Sequence, residues 1–133
     1  MASIRKQVEV EVDAAKAWAA LRSVGEAHKV FGPVLADARL DRDMRTATFG
    51  NGMVVHERIL DVDDERRRVA YTVTDAPGVA YHHASMEVID RGAGKCRFVW
   101  ITDVFPPEAT SMLAPMIDAG AKALKSNLEG FKT

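Results

Sequence analysis

The stretch PPEATSMLAPMIDAGAKALKSNLEGF, residues 106–131, decides the fold. Leu113, Ile117, Gly120, Leu124, Leu128 and Phe131 recur at spacings that return to one face of a helix with 3.6 residues per turn. Asp118, Lys122, Lys125 and Glu129 fall on the opposite face. Pro115 lacks an amide donor and crowds the carbonyl four residues earlier, so it either kinks this helix or sits in its first turn. The pattern continues across it from Leu113 to Ile117, which favours a kink. About seventy residues of strand-like pattern precede this helix, with no comparable helix among them. A long amphipathic helix after a run of strands must bury its stripe against them, and a curved sheet gripping one helix tends to enclose a cavity.

Upstream, residues 3–12 alternate, with Val8, Val10 and Val12 on one face and Gln7, Glu9 and Glu11 on the other, as in a half-buried strand. Asp13 stands at an N-cap position before a short helix over 14–21, which packs inward through Trp18 and Leu21. A second short helical piece spans about 25–31 and is stopped by Gly32-Pro33. Strands follow at about 34–40, 45–49, 53–62, 67–74, 81–89 and 95–105. Gly50-Asn51-Gly52 supplies a turn that tolerates positive φ, and Asp75-Ala76-Pro77-Gly78 is the clearest irregular loop. No repeat, linker or low-complexity tract interrupts the pattern, so a single domain over 1–133 is expected.

Composition excludes several classes. With 133 residues and 47% apolar content, the chain can bury an ordinary core. A formal net charge of −1 argues against a nucleic-acid footprint, and Arg66-Arg67-Arg68 is offset by Asp63-Asp64-Glu65 just before it. Cys96 is the one cysteine, which fits a reducing compartment and is read as a buried, inert thiol. The N-terminal residues lack the apolar core of a signal peptide, and no apolar run is long enough to span a bilayer. A cytoplasmic protein without integral membrane contact, monomer or homodimer, is expected. There is no Gly-x-Ser-x-Gly, no glycine-rich phosphate loop, no His-Glu-x-x-His and no cysteine pair, so no cofactor and no metal are expected.

The order strand, two short helices, six strands, long helix resembles the START-like helix-grip superfamily (SRPBCC), in its polyketide cyclase/dehydrase branch. Its carriers are Val8–Val12 leading into Asp13-Ala14-Ala15-Lys16-Ala17-Trp18, then Glu57-Arg58-Ile59-Leu60 followed by Asp63-Asp64-Glu65. Tyr81-His82-His83-Ala84-Ser85 and Val99-Trp100-Ile101-Thr102-Asp103 come next, before the Pro106-Pro107 helix. The resemblance implies an α+β helix-grip fold: a seven-stranded antiparallel sheet wrapped around the C-terminal helix, with two short helices between strands 1 and 2. It also implies a deep hydrophobic ligand pocket between sheet and helix. Lipid carriers, hormone receptors and aromatase/cyclases share that fold, so fold alone does not fix function.

Strand parity selects the candidate site residues, because alternate residues share a face. If Val55 and Ile59 face the cavity, so does Glu57. Plant hormone receptors of this superfamily resemble the chain here, with a pocket-lining Glu followed by Arg shortly before an acidic turn. That makes Glu57 a candidate acid, base or polar anchor. If Met86 and Val88 face inward, so does His82, which is expected to titrate near neutrality. His83 then points the opposite way, so the pair cannot readily chelate one metal. Tyr71 and Val73 share a face, and Tyr71 is assigned to polarising a carbonyl.

On the last strand Phe98, Trp100 and Thr102 share one face, while Val99, Ile101 and Asp103 share the other. Both are plausible interiors, and the first set is chosen for the cavity. On the helix, Met116, Gly120 and Asn127 line the inner flank, Gly120 for the room it leaves and Asn127 as a hydrogen-bonding group. The expected catalytic set is therefore Glu57, His82 and Tyr71. The expected ligand-binding set is Trp100, Thr102, Phe98, Val55, Ile59, Val73, Met116, Gly120 and Asn127.

The expected function is binding of a small hydrophobic molecule, aromatic or polyketide-like, with access between Gly50-Asn51-Gly52 and the 75–78 loop. The first alternative is a cyclase/dehydratase-type lyase using Glu57 and His82 as acid/base. The second is a protein-interaction module whose cavity has collapsed around Met112, Met116 and Trp100.

Overall fold

The computed structural model describes residues 1–130, and Phe131, expected to end the helical stripe, lies outside them. The alternating N-terminal segment forms β1 (Ala2–Val10), with Ile4, Lys6, Val8 and Val10 turned towards the interior. Helix α1 (Ala14–Leu21) buries Ala14, Ala17, Trp18 and Leu21, the face set by its apolar spacing. Asp13 stands at its N-cap, yet the carboxylate caps nothing there; it accepts the Gly94 amide at 2.6 Å and so ties the helix start to a distant hairpin turn. A 3-10 turn (Val24–Glu26) leads into α2 (Ala27–Phe31), which ends before Gly32-Pro33.

Six strands follow: β2 (Leu35–Asp41), β3 (Met44–Phe49), β4 (Val54–Asp63), β5 (Arg68–Val73), β6 (Tyr81–Asp90) and β7 (Cys96–Phe105). All pairings are antiparallel, and the sheet order is β1-β7-β6-β5-β4-β3-β2. The last strand thus sits beside the first, and consecutive hairpins extend the sheet from β7 out to β2.

Helix α3 (Thr110–Gly130) lies against this sheet and buries Ile117, Gly120, Ala121, Leu124 and Leu128. It runs through Pro115, the sixth residue of the helix and so beyond its first turn. A Phe98, Trp100, Met86, Val88 and Tyr71 face from three central strands meets that stripe in the core. The outer face of α3 is less free than its sequence suggests. Asp118 pairs with Lys6 at 3.0 Å, Lys125 donates to the Glu9 carbonyl at 2.7 Å, and Glu129 accepts the Glu11 amide at 2.9 Å. These contacts stitch one flank of the helix to the β1 edge. The other flank abuts α2, where Asn127 donates to the carbonyls of Val30 and Gly32 at 2.7 and 2.9 Å. Those carbonyls end α2 and have no partner within it, so Asn127 supplies a cap.

Candidate functional site

Between α3 and the sheet lies a cavity of about 130 Å³. Its position follows from strand register. Pairing from the Gly50-Asn51-Gly52 turn sets Ala47 opposite Val55 and Arg45 opposite Glu57, and Glu57 in turn opposite Val73. Tyr71 faces Ala84, Ala84 faces Thr102, and Met86 faces Trp100. One continuous face therefore carries every polar group of the site. Glu57, His82, Tyr71, Trp100, Thr102, Val55, Val73, Met116 and Gly120 all line the cavity.

Three expected residues do not. Phe98 is buried behind Trp100, ring centroids 6.0 Å apart, and its parity is right but its depth is not. Ile59 packs on the core and borders a separate shallow groove with Val24, Leu40 and Val62, next to an irregularity in the β4–β5 register. Asn127 is taken up by the α2 carbonyls described above.

Sequence reasoning missed Arg45. Its guanidinium is buried and donates to Glu57 Oε1 at 2.8 Å and to the Val24 carbonyl at 3.1 Å. Its Cζ also lies 5.2 Å from the Tyr71 ring centroid, within cation–π range. Glu57 is thus one half of a buried ion pair at the cavity wall, not a lone carboxylate. The signal was available: Arg45 shares parity with Ala47, and counting back from the glycine turn puts it opposite Glu57.

His82 accepts the Val73 amide on Nδ1 at 3.0 Å. A ring nitrogen that accepts an amide proton carries none of its own, so the neutral ring holds its proton on Nε2. Burial pushes its pKa down to about 4, with His83 adding to the fall and Asp103 opposing it. His82 is therefore neutral near pH 7, in contrast to the expected titration there. The site positions it as a hydrogen-bonding imidazole.

The buried Tyr71 hydroxyl is also held protonated: burial raises its pKa most, and the Glu57 charge adds to this. The Trp100 indole N–H is close enough to favour the phenolate, yet it completes no hydrogen bond of normal geometry and is left buried without a partner. Gly120 explains how the indole fits. A Cβ at that position would lie 2.9 Å from Trp100 Cζ3, so the helix can approach the ring only as glycine.

The wall is otherwise apolar. Met53, Met86, Met112 and Met116 line it, with Phe31, Leu113 and Ile117. Met112, Met116 and Trp100 leave the cavity open and do not fill it. Ala76 and Pro77 of the irregular loop line the cavity, and beside the glycine turn it is Phe49 and Met53, not Gly50-Asn51-Gly52, that reach it. The loop is pinned by the exposed His56 of β4. Asp75 accepts the His56 amide at 2.9 Å and meets His56 Nδ1 at 2.6 Å, and this holds the Asp75 carboxyl below its usual range.

His28 lies outside the lining, and His83 faces Asp103 on the β6–β7 pairing. Cys96 is buried, and burial pushes its thiol up to about 11. Among the described residues, no group of three or more His, Cys, Asp or Glu side chains forms a metal site, and no helix is long and apolar enough to cross a membrane.

Comparison with known proteins agrees with this architecture. The family model described as polyketide cyclase / dehydrase and lipid transport matches residues 1–132. A solution structure from Thermobifida fusca is 28% identical with a TM-score of 0.80, covering 96% of this chain and 93% of that one. A START superfamily protein from Mycobacterium smegmatis is 15% identical with a TM-score of 0.81, covering 97% and 98%. Norcoclaurine synthase from Thalictrum flavum, in complex with dopamine and hydroxybenzaldehyde, is 20% identical with a TM-score of 0.73, covering 94% and 84%. The last two likenesses are of fold alone. A comparison with curated protein sequences returned no match.

Proposed function

The chain belongs to the polyketide cyclase/dehydrase and lipid-transport family of the START-like helix-grip superfamily, and from that premise we propose that it binds a small hydrophobic, ring-bearing molecule in its internal cavity. The observation that carries this reading is an apolar enclosure with its few polar groups gathered on one wall. Arg45, Glu57, Tyr71 and His82 converge there, while methionines and aromatic rings make most of the remainder. Such a wall suits an apolar body with one oriented polar end. Methionine side chains also adapt their shape to a guest.

Native mass spectrometry of protein isolated from its source tests the reading. The expected result is a co-purified molecule of defined mass that leaves on unfolding. Ligand-free protein, together with no uptake of apolar ring compounds added at millimolar concentration, contradicts it.

A second reading is a cyclase/dehydratase-type lyase, favoured by a buried carboxylate at the cavity wall. Glu57 would remove a proton, and Tyr71 and His82 would hydrogen-bond a carbonyl oxygen as charge develops on it. His82 serves that role as a neutral donor from Nε2 and not as a general acid, because at a pKa of about 4 it is not an imidazolium near pH 7. In this reading Glu57→Gln slows turnover at least about tenfold, roughly 1.4 kcal/mol of barrier. Unchanged turnover in Glu57→Gln removes Glu57 from the mechanism.

A further inference from the structure

We infer that the cavity selects a neutral molecule with a single aromatic ring and a short arm ending in a hydrogen-bond acceptor, such as a carbonyl oxygen held by Tyr71 and His82. The inference rests on the proposed binding role and narrows it by size, charge and polarity.

Size comes first. At about 130 Å³ the cavity is close in volume to the roughly 150 Å³ apolar cavity that accepts one benzene ring. We place a second fused ring beyond this volume, against the Met53, Met112 and Met116 side chains that line the wall.

Charge comes next. Among the described residues lining the wall, the buried cation is Arg45, already paired with Glu57 at 2.8 Å and bound to the Val24 carbonyl. His82 is neutral, and Tyr71 keeps its proton. A carboxylate ligand would therefore enter without a free counter-ion, and a buried unpaired charge is strongly disfavoured.

Val73 occupies the acceptor nitrogen of His82, so the ring has only its Nε2–H to offer. The unpartnered Trp100 N–H lies beside the Tyr71 phenol. A slight closing of that contact gives the indole its acceptor and leaves the Tyr71 O–H to donate into the cavity. Tyr71 and His82 lie on adjacent strands with ring centroids 5.7 Å apart and both line the cavity, and we assign both donors to one oxygen.

Isothermal titration with four probes tests this: acetophenone, α-methylstyrene, benzoate and 2-acetonaphthone. α-Methylstyrene replaces the carbonyl oxygen with a methylene group at nearly constant shape. Acetophenone is expected to bind at least about tenfold tighter than α-methylstyrene, one good hydrogen bond's difference. Benzoate and 2-acetonaphthone should each bind more weakly than acetophenone. Tyr71→Phe should shrink the preference for acetophenone over α-methylstyrene at least about fivefold, with a thermal melt showing that the variant is folded; an undiminished preference in the folded variant overturns the role given to Tyr71. Equal binding of acetophenone and α-methylstyrene overturns the inference and leaves the binding role standing. Tighter binding of benzoate or 2-acetonaphthone overturns its charge or size element. If none of the four binds, the inference and the binding role for such rings fall together.

Discussion

Arg45 and Glu57 show what a residue-scale reading can and cannot supply. Parity placed Glu57 on the inner face, and the fold adds a guanidinium at 2.8 Å from a strand that carried no expected role. Both groups are nearly sealed from solvent, at 6% and 7% exposure, so each leaves a costly orphan if the other is removed. Arg45→Met is expected to lower the unfolding free energy by about 3 kcal/mol, and the double variant Arg45→Met/Glu57→Leu should recover most of it. Urea unfolding of the two single variants and the double variant measures this. A double variant as unstable as the sum of the singles would mean that the pair is not energetically coupled.

His82 carries a pH signature of definite sign. Its folded pKa of about 4 lies below the ordinary value of 6.5, so the unfolded chain takes up its proton first as pH falls. His82 therefore contributes stability above pH 6.5 that is lost progressively down to about pH 4. His82→Gln should flatten the stability profile in that window by about one proton relative to the parent chain. An identical slope in parent and variant would mean that His82 is as easily protonated folded as unfolded.

At the scale of elements, the helix and its glycine were legible and their surroundings were not. Period 3.6 identified α3 and its buried stripe, because a stripe must meet a core. The same periodicity put Asn127 on the inner flank but could not show that α2 would end against it, since interhelical placement is not written in either helix. Phe98 and Ile59 have the expected parity and lie at the wrong depth, which depends on sheet curvature and an irregular register. Gly120→Ala measures the close approach. Alanine improves helix propensity by about 1 kcal/mol, yet its Cβ would meet the Trp100 ring at 2.9 Å. Displacement of the ring into the cavity should lower ligand affinity at least about tenfold with little change in thermal stability. Unaltered affinity would mean that Trp100 does not shape the bound state.

The 75–78 loop was recognisable from Asp75-Ala76-Pro77-Gly78 alone, and its anchoring on His56 was not. Asp75→Ala removes both contacts to His56. Faster amide exchange across 74–80 and faster ligand release are expected, with global stability nearly kept. Unchanged exchange and release would mean that the pairing does not restrain the mouth.

For the whole molecule, seven strands and a final helix enclose a space whose polar groups all come from one sheet face. Four of the six methionines, Met53, Met86, Met112 and Met116, line that space, while Met1 and Met44 do not. Methyl NMR of methionine-labelled protein titrated with acetophenone therefore tests directly whether the cavity is the binding site. The account expects saturable shifts at those four methyls and none at Met1 or Met44. Shifts confined to Met1 or Met44, or no saturable shift anywhere, would contradict it.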